Sequence, residues 1–192
     1  MLLIFFGPPG AGKGTQASII SNNFKIPHLS TGDILRNKLL QKDELSTKLK
    51  HIMDKGQLVP DDILNEIVSK RINNPDCLRG FILDGYPRTM GQALFLNTIL
   101  NSKNCKIDKI IDIAVDEKII VKRIISRSKE EDRQDDKEEV IKTRIFRYLS
   151  ETKPLSDYYK SKYPSDYLMI NGNQEIEKIT EDIVKILKSE NL

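Results

Sequence analysis

Cysteine, histidine and surplus charge are all scarce in this 192-residue sequence, which has two cysteines, Cys77 and Cys105, and two histidines, His28 and His51. The cysteines lie far apart without C-x-x-C spacing, and no histidine cluster accompanies them. A disulfide scaffold and a structural zinc site are both disfavoured. Thirty-one basic against 28 acidic side chains leave a formal charge of +3. That is too balanced for bulk attraction to nucleic acid or to an acidic membrane, so any use of positive charge has to be local. Aromatic residues are few and are not interleaved with basic ones in the manner of an RNA-binding module. The first apolar run, Leu2 to Phe6, is too short for a membrane span or a signal-peptide core, and no positive segment precedes it. The expectation is a cytoplasmic protein with no nucleic-acid or membrane partner, built as one compact unit with room for an inserted lobe.

What is present alternates between two periodicities. Leu2 to Phe6 is a continuous apolar run bounded by glycine, as expected of a strand buried on both faces, and Lys13 to Phe24 follows with helical spacing. Further strands are expected at Pro27 to Ser30, Gly80 to Asp84, Lys109 to Val115 and Asp166 to Asn171. Helices are expected at Thr89 to Leu100, Asp116 to Ser126 and Gln174 to Leu187. Strands separated by stretches long enough for crossovers point to a parallel sheet, hence an α/β fold with five parallel strands and helices on both faces. Two segments break the alternation. Thr31 to Asn73 carries three helical patterns without a convincing strand and reads as a helical lobe outside the sheet; Ser128 to Glu139 (SKEEDRQDDKEE) has no core-facing residue and reads as a loop or small flap.

Between the first strand and the first helix stands GPPGAGKGT, residues 7 to 15. In G-x-x-x-x-G-K the glycines permit backbone angles closed to other residues, so successive N–H groups can turn inward and cradle phosphate oxygens, aided by the positive end of the following helix. Gly7, Gly12 and Lys13 fit, Gly10 adds a permissive position, and Lys13 supplies a mobile charge to the β- and γ-phosphates. One position departs from the general pattern: Gly14 stands where many P-loops have the Ser or Thr that binds magnesium, and Thr15 follows it. Taken alone, STGDILR at residues 30 to 36 is a capped helix start with Arg36 on its surface, and the Asp-Gly of DGYPR at residues 84 to 88 is equally a turn pair.

Together, GPPGAGKGT, LSTGDILR and GFILDGYPRTMGQA make the chain similar to the nucleoside-monophosphate kinases, above all the adenylate kinases, over nearly its whole length. The resemblance implies a three-layer P-loop fold with core segments 1–29, 60–127 and 138–192, a helical lobe over 30–59 that takes the monophosphate, and a short lid over 128–137. It implies transfer of a phosphoryl group from ATP to AMP, giving two ADP, with magnesium; nothing in the sequence requires more than a monomer, and a short lid without cysteine or histidine excludes a structural zinc site there. ATP would be held by Gly10, Ala11, Gly12, Lys13, Gly14 and Thr15, by Arg123 and Arg127, and at its adenine by the turn ending in Gln174. AMP would meet Thr31, Arg36, the backbone of Gln57, Leu58 and Val59, the run Gly85, Tyr86, Pro87 and Arg88, and Gln92 at its base, with Arg133 and Arg144 near its phosphate. Asp84 would place the magnesium ion.

Phosphoryl transfer asks a protein to align two anions and neutralise charge, and arginine suits that task because it stays charged and donates bidentately. The resemblance therefore assigns catalysis to Lys13, Arg88, Arg123, Arg133 and Arg144, with Asp135 orienting arginines rather than acting as a base. Two rivals remain at this stage: a UMP/CMP kinase, against which Thr31 speaks because pyrimidine-specific relatives tend to carry alanine there, and a P-loop switch that hydrolyses ATP slowly.

Overall fold

A computed structural model describes residues 1–41, 43–131 and 138–189. Five strands, β1 (Leu2–Phe6), β2 (His28–Ser30), β3 (Phe81–Asp84), β4 (Lys109–Ala114) and β5 (Tyr167–Asn171), form one all-parallel sheet in the order β2-β3-β1-β4-β5. The crossovers carry α1 (Lys13–Phe24), α2 (Thr31–Leu39), α3 (Glu44–Asp54), α4 (Asp61–Ile72), α5 (Met90–Ser102), α6 (Glu117–Glu131), α7 (Glu138–Arg147), α8 (Lys153–Lys162) and α9 (Ile176–Ser189). All five strands and the three helices expected between residues 31 and 73 are present.

The pleat divides β1 between two cores, because successive side chains of a strand point to opposite faces. Leu2, Ile4 and Phe6 join Phe81, Leu83 and Ile110 under α4, α5 and α8, where Leu64, Val68, Ile72, Leu96, Leu100, Leu155 and Tyr159 close the layer. Leu3 and Phe5 join Ile82, Ile111 and Ile113 on the other face, covered by Ala17 and Ile20 of α1 and by Ile179, Ile183 and Leu187 of α9. A sheet covered on both faces explains why β1 shows unbroken apolarity instead of alternation.

The sheet's middle strand also places the site. β1 pairs with β3 on one side and β4 on the other, with Phe5 opposite Asp84 and Phe6 opposite Asp112. The chain crosses over β1 between β3 and β4, so the loops leaving β1 and β3 open together at the carboxyl edge, where ligands of open α/β sheets gather.

One element differs from the sequence reading. Helix α6 was expected to stop at Ser126 with a loop from Ser128, yet it runs to Glu131. No glycine or proline interrupts residues 126 to 131, and lysine and glutamate are good helix formers. Lack of core-facing residues is therefore no reason for a helix to end. A second feature carried no sequence signal: α7 and α8 are joined without a break by a single π-helical turn, Tyr148–Thr152.

Candidate active site

Strand β1 ends at Phe6, and the loop before α1 takes positive φ at Gly7 (137°), Gly10 (80°) and Gly12 (89°). A Cβ on Gly12 would meet nothing within 4 Å, so this glycine is required for its left-handed backbone alone. It occupies the N-cap of α1 without a side chain capping the helix, which leaves the first helical amides and the positive end of the helix dipole facing the cleft. Lys13 folds back over the loop, its Nζ donating to the carbonyls of Gly7 and Pro8, each at 2.8 Å. Burial lowers its pKa from 10.5 to about 8; Asp84 opposes the shift, and the charges of Arg88, Arg144 and Arg127 reinforce it. This ammonium sits in a field of cations that an incoming phosphate would relieve.

Asp84 ends β3 beside β2, where Ser30 is its register partner and His28 lies two residues earlier. His28 Nε2 lies 3.2 Å from Asp84 Oδ2. Burial pushes this carboxyl up, but the His28 hydrogen bond and the charges of Lys13, His28 and Arg88 outweigh it and hold the pKa below its ordinary value. Asp84 is thus an anion at neutral pH. Its Oδ2 would lie only 3.5 Å from a Cβ built on Gly14, so glycine there keeps the space between the carboxylate and the start of α1 open.

The loop after β3 is tied at several points. Thr31, buried at the start of α2, donates its hydroxyl to the carbonyls of Asp84 (3.2 Å) and Gly85 (3.0 Å). Gly85 has φ 77°, and a Cβ there would meet Thr31 Oγ1 at 2.7 Å and an Arg88 guanidinium nitrogen at 2.9 Å. Arg88 Nε donates to the Gly85 carbonyl at 2.9 Å, and its backbone N–H donates to Gln92 Oε1 at 2.7 Å. Gln92, itself fully buried, donates from Nε2 to Asp61 Oδ1 at 2.8 Å. The peptide bond between Tyr86 and Pro87 is cis.

These loops line one continuous cleft of about 680 Å³, within the ~300–1,000 Å³ usual for small-molecule sites. Into it open Gly10 to Thr15, Thr31, Arg36, Gln57 to Val59, Asp84, Gly85, Arg88, Gln92, Arg123, Arg127 and Arg144. Arg123 and Arg127 share a face of α6, as their four-residue spacing implies, and Arg123 donates at 3.4 Å to the carbonyls of both Ala11 and Gln174. Arg36 is paired with Asp33 on its own helix.

Other residues singled out in the sequence lie elsewhere. Tyr86 turns into the core, 1% exposed, with its hydroxyl donating to Asn65 Oδ1 at 2.6 Å. Pro87 borders a smaller adjoining cavity of about 60 Å³. Gln174 meets the site through its carbonyl, while its side-chain amide donates to Asn171 and Asp182. Arg133 and Asp135 lie outside the described residues. Sequence reasoning passed over His28 and Asp61, which hold Asp84 and Gln92; a lone histidine on a three-residue strand and an aspartate in a helix's first turn carry no signal of such roles. Among the described residues no three His, Cys, Asp or Glu side chains come together as a metal group.

The adenylate kinase family model matches residues 5–163, a span that takes in the glycine loop, Asp84, Arg88 and the helices bearing the arginines. The chain belongs to the adenylate kinase family. It is 47% identical to the adenylate kinases of Brucella anthropi, Brucella ovis and Brucella canis, the match covering 97% of this chain and 98% of theirs. As an adenylate kinase family member it is a nucleotide-binding phosphotransferase of the nucleoside-monophosphate kinase type, catalysing ATP + AMP = 2 ADP.

Proposed function

We propose that the cleft seats ATP and AMP tail to tail, and that the residues named above divide between them. The observation carrying this reading is that the glycine loop and the segments around Arg36, Gln57 to Val59, Arg88 and Gln92 open into one cavity instead of two. Lys13 and the loop amides bind the β- and γ-phosphates, Arg123 and Arg127 flank ATP, and Arg88 and Arg144 lie along the line of transfer. Thr31, Arg36 and Gln92 receive AMP. Each arginine contributes by offsetting charge spread over the transferred phosphoryl group, and tight alignment replaces a general base. Arg133 and Asp135 take the corresponding roles in the lid.

Hard cations take oxygen donors. The ionised Asp84 carboxylate, facing the space left by Gly14, fits magnesium carried in with ATP, held directly or through water. Bound there, the ion neutralises phosphate charge. Residues 30–59 act as a lobe over AMP and 128–137 as a short lid over ATP, and their closure excludes water that would otherwise accept the γ-phosphoryl group.

The reading extends to a cytoplasmic monomer without nucleic-acid or membrane partners. In its support, the charge is balanced, and no helix among the described residues is long and apolar enough to cross a membrane. The test is a coupled assay of ADP formation from ATP with AMP, UMP and CMP as acceptors under identical conditions. AMP is expected to be preferred; preference for UMP, or ATP hydrolysis indifferent to any monophosphate, overturns the assignment.

A further inference from the structure

Arg88 is fixed at both ends of its residue. Its Nε bonds the Gly85 carbonyl and its N–H bonds Gln92, while its own carbonyl oxygen accepts a hydrogen bond of 3.2 Å from Thr152 Oγ1. Sixty-four residues separate the two partners. Thr152 is 7% exposed and closes the π turn between α7, which carries Arg144, and α8, which packs on the sheet through Leu155 and Tyr159. π turns inside helices are rare and concentrate at functional sites. This one is bonded from the Lys153 N–H to the Tyr148 carbonyl, and Arg147, Tyr148 and Thr152 border the small cavity that Lys13, Arg88 and Arg144 also line.

We propose that Thr152 is a positioning residue for phosphoryl transfer: its hydroxyl ties the Arg88 loop to the helix bearing Arg144, so that both guanidinium groups reach one phosphate in register. It touches no substrate and acts through the Arg88 backbone. The inference rests on the role given to Arg88 under the proposed function. Packing needs only the shape of a threonine, whereas this contact needs a donor. Valine and serine separate the two, since valine keeps the shape and serine the hydroxyl.

The experiment compares Thr152→Val, Thr152→Ser and Arg88→Ala by steady-state kinetics with both substrates varied, alongside thermal unfolding. Thr152→Val is expected to lower kcat about tenfold or more, the scale of a misplaced catalytic group, with the KM for ATP changed less than about twofold, the signature of an interaction made in the transition state. Thr152→Ser should restore most of the lost kcat, and Thr152→Val should add little loss on an Arg88→Ala background, because groups acting as a unit are non-additive. Should Thr152→Val fail to fold, Thr152→Ala carries the same expectation. Full kcat in Thr152→Val, or equal losses in the serine and valine variants, overturns the inference while an inactive Arg88→Ala leaves the function of Arg88 standing. An active Arg88→Ala overturns that function instead.

Discussion

Binding ATP should draw a proton onto the enzyme at alkaline pH, and Lys13 sets the amount. Its pKa in the ligand-free site is about 8, so at pH 9 roughly one molecule in eleven carries the charged ammonium, against about nine in ten at pH 7. Phosphate oxygens reverse the balance that burial and the three arginines impose, and return the group to its charged form across this range. Uptake of about 0.9 proton per nucleotide is therefore expected at pH 9 and about 0.1 at pH 7, with affinity roughly tenfold weaker at the higher pH, equivalent to ~1.4 kcal/mol. Titration calorimetry with a non-transferable ATP analogue, repeated in buffers of different ionisation enthalpy, reads the proton count directly. Lys13→Met supplies the control. Uptake below about 0.3 proton at pH 9, or the same uptake in Lys13→Met, refutes the account.

The same shift predicts how stability varies with pH. Because the folded pKa lies below the unfolded value of 10.5, the unfolded chain holds more protons between pH 8 and 10.5, and the contribution of Lys13 to stability rises with pH across that window. The unfavourable term is complete below pH 8, at about 3 kcal/mol; urea unfolding of the ligand-free enzyme should show the rise, and Lys13→Met should lack it. Arg88→Ala is expected to lose several kcal/mol of transition-state stabilisation, read as kcat/KM, in line with other losses of charge-stabilising donors. Gly12→Ala meets no obstacle but is forced into φ 89°, and should destabilise by about 1 kcal/mol and weaken ATP binding in calorimetry. Tyr159→Phe should leave denaturant stability unchanged or slightly raised, because the buried Tyr159 hydroxyl has no hydrogen-bond partner among the described residues and its removal leaves no group unsatisfied; a loss above about 1 kcal/mol would contradict this.

Many of the elements whose side chains meet a core were legible in the sequence, although α8, which meets it through Leu155 and Tyr159, was not among the expected helices. β1 announced itself through Leu2 to Phe6, and α9 through Ile179, Ile183 and Leu187, because burial on a sheet imposes a period on the chain. The last turn of α6 had no such period, and its continuation to Glu131 accords with the helix propensity of lysine and glutamate. The π turn left no trace either: Tyr148 to Thr152 reads like ordinary helix, and only its place between α7 and α8 distinguishes it. Within the cleft the glycine loop was legible because its backbone angles demand glycine. Arg88 and Asp84 were legible through a motif. The groups that hold these residues were silent, since His28, Asp61 and Thr152 reach their partners across 56, 31 and 64 residues respectively, and sequence spacing encodes only local contact.

That division has a physical origin. The groups that face phosphate are drawn chiefly from arginine, lysine and backbone N–H, a choice narrow enough for a glycine loop to leave a recognisable string. A side chain that supports such a residue needs only a donor or acceptor at the right place, and many residue types on many elements can provide it. Burial is the main cause of the lowered Lys13 pKa, and the charges of Arg88, Arg144 and Arg127 add to it against Asp84, so these cations oppose one another across the cleft. Bonds from the Gly85 carbonyl, Gln92 and Thr152 keep Arg88 in place against that repulsion. Under the proposed function, an incoming phosphate would offset these charges, and the relieved repulsion would appear as affinity for anions. Relaxing the cluster by neutralising Lys13 would consequently favour the folded state at neutral pH while removing the cation assigned to phosphate under the proposed function, the opposition between stability and function expected of a preorganised catalytic pocket.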